Sequence, residues 1–285
     1  MYPTIPTAED EPELFWAVRG GKGNFGIVTE LEFDLVPVAT LYGGGIFFPG
    51  EAAADVLHAW RTWAPTLPED TTTSVALLRL PPDPGLPEPL RGRFVVHLRF
   101  AHLGEDGEAL LAPMRAVAPA IMDLVAEMPF TAVDGIHMDP PGPLPMWERG
   151  TGLRELPAEA VDALLAAAGP DVEVPLVLVE VRLLGGAVAR PAPVPNAVCG
   201  RDAAFTVLAI APTAGPLMEV APAITQAIVD GLAPWATGSA LLNFHGSGNA
   251  ERIARLWPET DRSRLLAAKR RFDPDNLFVF GSAIA

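Results

Sequence analysis

Apolar residues recur along this chain with two periods, and the switches between them mark out its elements. The clearest period of two covers residues 91–100. Phe94, Val96, Leu98 and Phe100 alternate there with Arg93, Val95, His97 and Arg99, the pattern of a half-buried strand. Similar runs predict strands over 41–48, 72–80, 174–184 and 203–210, with short strands over 129–133, 240–245 and 277–280. A helical period predicts helices over 52–63, 107–117, 157–168 and 216–232. Two more, over 250–256 and 260–271, are separated by Trp257-Pro258. Near the start, a helix over 11–18 runs into glycines and then into a predicted strand over 25–35. Strands return in pairs and no strict βαβ repeat emerges. The expected fold is therefore α+β, an antiparallel sheet covered by helices on one face.

Bulk properties narrow the function classes. A chain of 285 residues, 49% of them apolar, can bury a sizeable core and is not expected to be disordered. A formal charge of −15 excludes the basic surface that nucleic acid or anionic lipid requires. No run of 18 apolar residues predicts a membrane span. The stretch Met1 to Thr7 has neither a basic nor an apolar signal region, so a cytoplasmic protein is expected. The lone Cys199 excludes an internal disulfide, and the five histidines lack paired ligand spacing, so no metal site is expected. The prolines cluster at 81–87, 140–145 and 191–195, which read as ordered loops between elements.

Gly21, Gly23 and Gly26 spell G-x-G-x-x-G, but a dinucleotide fingerprint needs a strand before it and a helix after it. Here the order is reversed, so the glycines are expected on a helix-to-strand turn. The longer string is more specific. Leu14-Phe15-Trp16-Ala17-Val18-Arg19-Gly20-Gly21-Lys22-Gly23-Asn24-Phe25-Gly26-Ile27-Val28-Thr29 closely resembles a segment of FAD-linked oxidoreductases of the berberine bridge enzyme type. Lys269-Arg270-Arg271-Phe272-Asp273-Pro274-Asp275-Asn276-Leu277-Phe278 resembles a second segment. Leu183-Leu184-Gly185-Gly186-Ala187 and Leu242-Asn243-Phe244 fall between them in the expected order. The resemblance spans essentially all of this chain. It implies that residues 1–38 and 255–285 are a remnant of an FAD-binding domain, and that 39–254 form a substrate domain whose sheet covers the flavin ring. It also implies that a first flavin-binding portion, with a glycine-rich phosphate loop, precedes Glu11 and is absent from these residues.

What the resemblance implies for single residues follows. Gly23, Asn24, Gly26 and Val28 would line the FAD site through main-chain groups, and Asn243 would lie beside the flavin. Lys22 stands where the family usually has glycine. Leu241 stands where many members carry a proton-abstracting tyrosine. Gly281 to Ile284 replace an Asn-x-Asn-Ile tail. Glu180 and Arg182 share one face of their predicted strand, suited to orienting a polar substrate or, if Glu180 is desolvated, to base chemistry. His245 is the candidate replacement acid or base. Three expectations follow. The first is a truncated oxidoreductase acting on a small, mostly apolar metabolite. The second is a flavin-free cyclase or isomerase reusing the cavity. The third is a non-catalytic partner subunit. An apolar former flavin face would call for a cover, either a homodimer or a separate flavin-binding chain.

Overall fold

The computed structural model describes residues 5–140, 142–246, 250–279 and 283–284. The expected antiparallel sheet is present. Its strands are β1 (Thr40–Pro49), β2 (Thr71–Arg79), β3 (Phe94–His102), β4 (Met122–Asp123), β5 (Ala126–Pro129), β6 (Met146–Leu153), β7 (Leu178–Leu183) and β8 (Phe205–Pro212). They lie in the order β4-β1-β3-β2-β7-β8-β6, with β5 also pairing β1. Every named pairing is antiparallel.

Helices cover one face. After α1 (Pro12–Val18) at the start of the chain come α2 (Ala53–Trp63), α3 (Gly107–Arg115) and α4 (Ala158–Ala168). The one-turn α5 (Gly186–Ala189), α6 (Leu217–Gly231), α7 (Ala250–Ala254) and α8 (Glu259–Phe272) follow. α2 buries Ala53, Val56, Leu57 and Trp60, spaced as a single helical stripe. Alanine-rich α4 buries Ala160, Val161, Leu164 and Ala168 in the same way. These stripes meet Ile46, Phe48, Val75, Leu77, Val96, Leu98, Val179, Val181 and Val207, the residues at alternate positions of the central strands. Trp60 sits fully buried in this core, and its indole N–H donates to Thr73 Oγ1 at 3.1 Å.

A second core joins the chain ends. Leu14, Trp16 and Phe25 pack with Cys199, Ile253, Trp257, Leu265 and Ile284. Trp257 Nε1 donates to Ala197 O at 2.7 Å. Lys269 Nζ, buried, donates to Asn24 O at 2.9 Å, Asp273 Oδ2 at 2.5 Å and Phe278 O at 2.7 Å.

The structure corrects four local expectations. No strand forms over 25–35, and residues 26–38 contain no helix or strand. The period-two pattern is real, but a strand also needs a neighbour for its amides. Among the described residues, the backbone of 26–35 makes no hydrogen bond. The expected strand over 129–133 gives way to the end of β5 and a 3₁₀ turn, Phe130–Ile136. Residues 240–245 form a turn, closed by Phe244 N–H donating to Leu241 O at 2.8 Å. In the tail, Asp273 accepts the amides of Leu277 and Phe278 at 2.8 and 2.9 Å, which diverts them from strand pairing. Phe280, Gly281 and Ser282 of the expected terminal strand and tail lie outside the described residues, as do Met1 to Thr4. β6 was not expected at all.

Candidate functional site

Because strands alternate, the helix-free face of the sheet carries the residues between the core positions. Register places Gly45, Arg99, Ser74, Arg182 and Thr206 side by side across β1, β3, β2, β7 and β8. The next row holds Phe47, His97, Ala76, Glu180 and Leu208. Long-range pairing thus assembles two arginines, a glutamate and a histidine that are far apart in sequence. Arg99, Glu180 and His97 are buried, while the Arg182 side chain is 26% exposed.

Glu180 Oε1 is the hub. Arg182 donates to it from Nε at 3.1 Å and from Nη2 at 2.8 Å, and Arg99 Nη1 lies 3.2 Å away. Burial raises the Glu180 carboxyl, but the two guanidiniums and a hydrogen bond from Ser74 outweigh it and hold it below the usual carboxylate range. Glu180 is therefore an ionised acceptor at neutral pH. That suits orientation of its arginines rather than uptake of a proton.

Two imidazoles complete the cluster. His137 follows the 3₁₀ turn that crosses this face, and its Nε2 accepts from Arg182 Nη2 at 2.9 Å. His97 Nδ1 accepts from Arg99 Nε at 3.2 Å, which assigns its proton to Nε2. His97 stacks on Phe47 with centroids 4.0 Å apart. It can do so because position 45 is glycine: a Cβ there would stand 2.1 Å from His97 Nε2. Burial and the neighbouring cations push both imidazoles toward the neutral form. The Phe244 ring packs against Arg182 at 4.9 Å, so the 240–245 turn borders the cluster.

The glycine turn lies at the other end of that segment. Gly20 has φ 128° and abuts the backbone of Ala197 and Val198, so it is a packing glycine. Gly23 and Gly26 differ, because a Cβ at either meets nothing within 4 Å among the described residues. Val28 is exposed. The buried Asn24 side chain is committed internally: Nδ2 donates to Gly21 O at 2.7 Å and Oδ1 accepts Ile284 N–H at 3.2 Å. Asn243 is exposed on its turn. Cys199, buried beneath this turn, donates to Ala240 O, and burial pushes its thiol up to about 11.

Of the sequence candidates, the structure joins Glu180 to Arg182 and leaves His245 elsewhere. His245 is buried, and its Nδ1 accepts from Arg252 Nε at 3.3 Å. Burial, then Arg252, Lys22 and Arg149, lower it to about 4, so it is neutral near pH 7. Arg99, His97 and His137 were not singled out as partners of Glu180. The alternation over 91–100 already placed Arg99 and His97 off the core face, but only the β3-β2-β7 order shows what they meet. Among the described residues, no group of acidic, histidine or cysteine side chains could hold a metal ion, and no helix is long and apolar enough to cross a membrane.

No family model matches the chain. It is 27% identical to an uncharacterised FAD-linked oxidoreductase of Bacillus subtilis, over 98% of this chain and 60% of that protein. It is also 27% identical to (R)-6-hydroxynicotine oxidase of Paenarthrobacter nicotinovorans, over 95% of this chain and 60% of that protein. The chain therefore spans less than two thirds of the length of these relatives. Among solved structures, 6-hydroxy-D-nicotine oxidase from Arthrobacter nicotinovorans superposes with a TM-score of 0.75 at 23% identity, over 98% of this chain and 62% of that one. A berberine bridge enzyme variant in complex with (S)-reticuline gives 0.70 at 17%, over 99% and 62%. By sequence the chain is a homologue of FAD-linked oxidoreductases, and across nearly its whole length its fold is that of the berberine bridge enzyme and 6-hydroxynicotine oxidase type.

Proposed function

We propose that this chain forms the substrate wall of an FAD-linked oxidoreductase, with the flavin ring against the helix-free face of the sheet. The observation that carries this reading is the juxtaposition of that polar face with an open glycine turn. The 240–245 turn links them: Cys199 bonds Ala240 at one end, and Phe244 packs on Arg182 at the other.

The residues present fit a flavin in part. Open space over Gly23 and Gly26, unpaired main-chain groups beyond them, and exposed Val28 and Asn243 suit close approach by a planar ligand and its linker. Asn24 contributes by fixing the turn to the C-terminal tail rather than by offering its amide. Bound flavin would supply a two-electron acceptor for oxidation of a small metabolite. The chain's own groups then orient that metabolite: Arg182 presents a partly exposed guanidinium, held in place by Glu180 and His137. Leu241 cannot move a proton, and His245 and Glu180 are both held away from the titration range that general base work near pH 7 requires. Substrate positioning is the part of catalysis these side chains serve.

The test is a flavin titration of the purified chain, alone and mixed with the portion of the Bacillus subtilis relative that this chain does not span. Saturable flavin absorbance in either arm, lost in Gly23→Val, supports the reading. A colourless protein in both arms would overturn it and favour a flavin-free cyclase or isomerase, or a non-catalytic subunit.

A further inference from the structure

The helix-free face has an excess of hydrogen-bond donors. Among the described residues Glu180 is its only buried carboxylate, and its Oε1 is shared by both arginines. Arg99 Nη1 is buried, and its partner among the described residues is Glu180 Oε1, in an ion pair at 3.2 Å. Thr206 Oγ1, in register with Arg182 on the adjacent strand, is buried without a partner. His97 Nε2 is likewise unpartnered. Arg182 spends Nε and Nη2 on Glu180 and His137, and its Nη1 has no hydrogen bond among the described residues. Asp139 acts on Arg99 only at a distance, is exposed and forms no ion pair. Burial and the neighbouring cations favour the neutral form of both imidazoles, so the charges of the cluster are two guanidiniums, one buried and one partly exposed, against one buried carboxylate.

Buried donors without acceptors are costly, and an arginine fork matches a carboxylate in geometry. A cavity of about 190 Å³ opens on the same face of β1, lined by Gly43, Gly44, Gly45, Ile136 and Met138 among others. It offers an apolar body room beside the polar row. We propose that Arg182, Arg99 and Thr206 form a carboxylate-binding subsite, so that the molecule held on this face carries an acid group anchored there and an apolar remainder. This rests on the reading of the face as the substrate wall, and it replaces a mostly apolar substrate with an amphiphilic acid.

The experiment is calorimetric titration of the purified chain, without flavin, with benzoate and with its uncharged isostere benzamide. Benzoate is expected to bind at least about tenfold more tightly, as one charge-assisted bidentate contact allows. Arg182→Met should erase the preference, and Thr206→Val should reduce it severalfold with far-UV circular dichroism unchanged. Arg91→Met, at an exposed arginine that bonds only Pro84 O and Leu86 O, should leave it intact. Equal affinity for the two probes would overturn the subsite. So would a preference that survives both Arg182→Met and Thr206→Val. Because flavin is absent, benzoate selectivity stands or falls separately from flavin association.

Discussion

Replacing Glu180 with glutamine removes the one charge that a buried guanidinium, Arg99, and a partly exposed one, Arg182, share. In wild type, Arg99 Nη1 at 3.2 Å and Arg182 Nη2 at 2.8 Å flank Oε1. At an effective dielectric near 20 each pair is worth roughly 5–6 kcal/mol gross, and desolvation offsets much of it. Breaking a buried pair by removing one partner costs about 3–5 kcal/mol. Glutamine keeps an oxygen acceptor, so Glu180→Gln should lose about 3 kcal/mol at neutral pH. Urea denaturation followed by far-UV circular dichroism measures it. The loss must also depend on pH. The folded-state pKa of Glu180 lies below its ordinary 4.5, so the unfolded chain takes up the proton first as pH falls. The stabilisation is full above that value and is lost as pH falls through the folded pKa. The gap between wild type and variant should therefore narrow as pH falls below 4.5. A variant within about 0.5 kcal/mol of wild type at neutral pH would refute the hub role. A gap that does not narrow as pH falls below 4.5 would refute the electrostatic origin.

Other outcomes follow from the same geometry. Trp60→Ala should cost about 3–5 kcal/mol in urea melts, since a fully buried indole and its bond to Thr73 are lost. Gly20→Ala should lower the melting temperature by several degrees, because position 20 combines φ 128° with backbone 2.2 Å from the new Cβ. Gly23→Ala should melt as wild type does. Lys269→Met should lower the melting temperature more than Arg271→Ala, because Lys269 is buried with three acceptors while Arg271 bonds one glutamate in solvent. His245, at about 4 when folded against 6.5 ordinarily, makes the unfolded state bind more protons between those values. Stability should therefore fall as pH drops from about 6.5 to 4, by at most roughly 3 kcal/mol, and His245→Gln should flatten that slope in pH-dependent urea melts.

Much of the sheet was legible because its signal is local. Phe94, Val96, Leu98 and Phe100 announce which face of β3 is core, and the same alternation puts Arg99 and Glu180 on the other. Their meeting was not legible. It depends on β2 inserting between β3 and β7, a pairing fixed by the whole sheet. β6 escaped notice because Glu148, Arg149, Gly150 and Gly152 dilute its apolar pattern, although it pairs with β8 along its full length. His137 reaches Arg182 from a proline-flanked loop with no periodicity to read. The failure over 25–35 is of another kind. Its residues are those of a strand, but strand structure is a property of two segments.

That segment has a further consequence for how the protein behaves in solution. Leu31, Phe33 and Leu35 are exposed in a segment with a strand's alternation but no pairing partner among the described residues, the kind of stretch that templates fibrils. Glu30, Glu32 and Asp34 interleave with them. Two copies laid edge to edge would set carboxylate against carboxylate along one side. Like charges therefore act as gatekeepers against self-assembly, most strongly at low salt and least below the carboxylate range. A strand bearing lysine or arginine at alternate positions meets no such barrier. The segment is guarded against its own kind, and acid or high salt should be the conditions under which this chain aggregates.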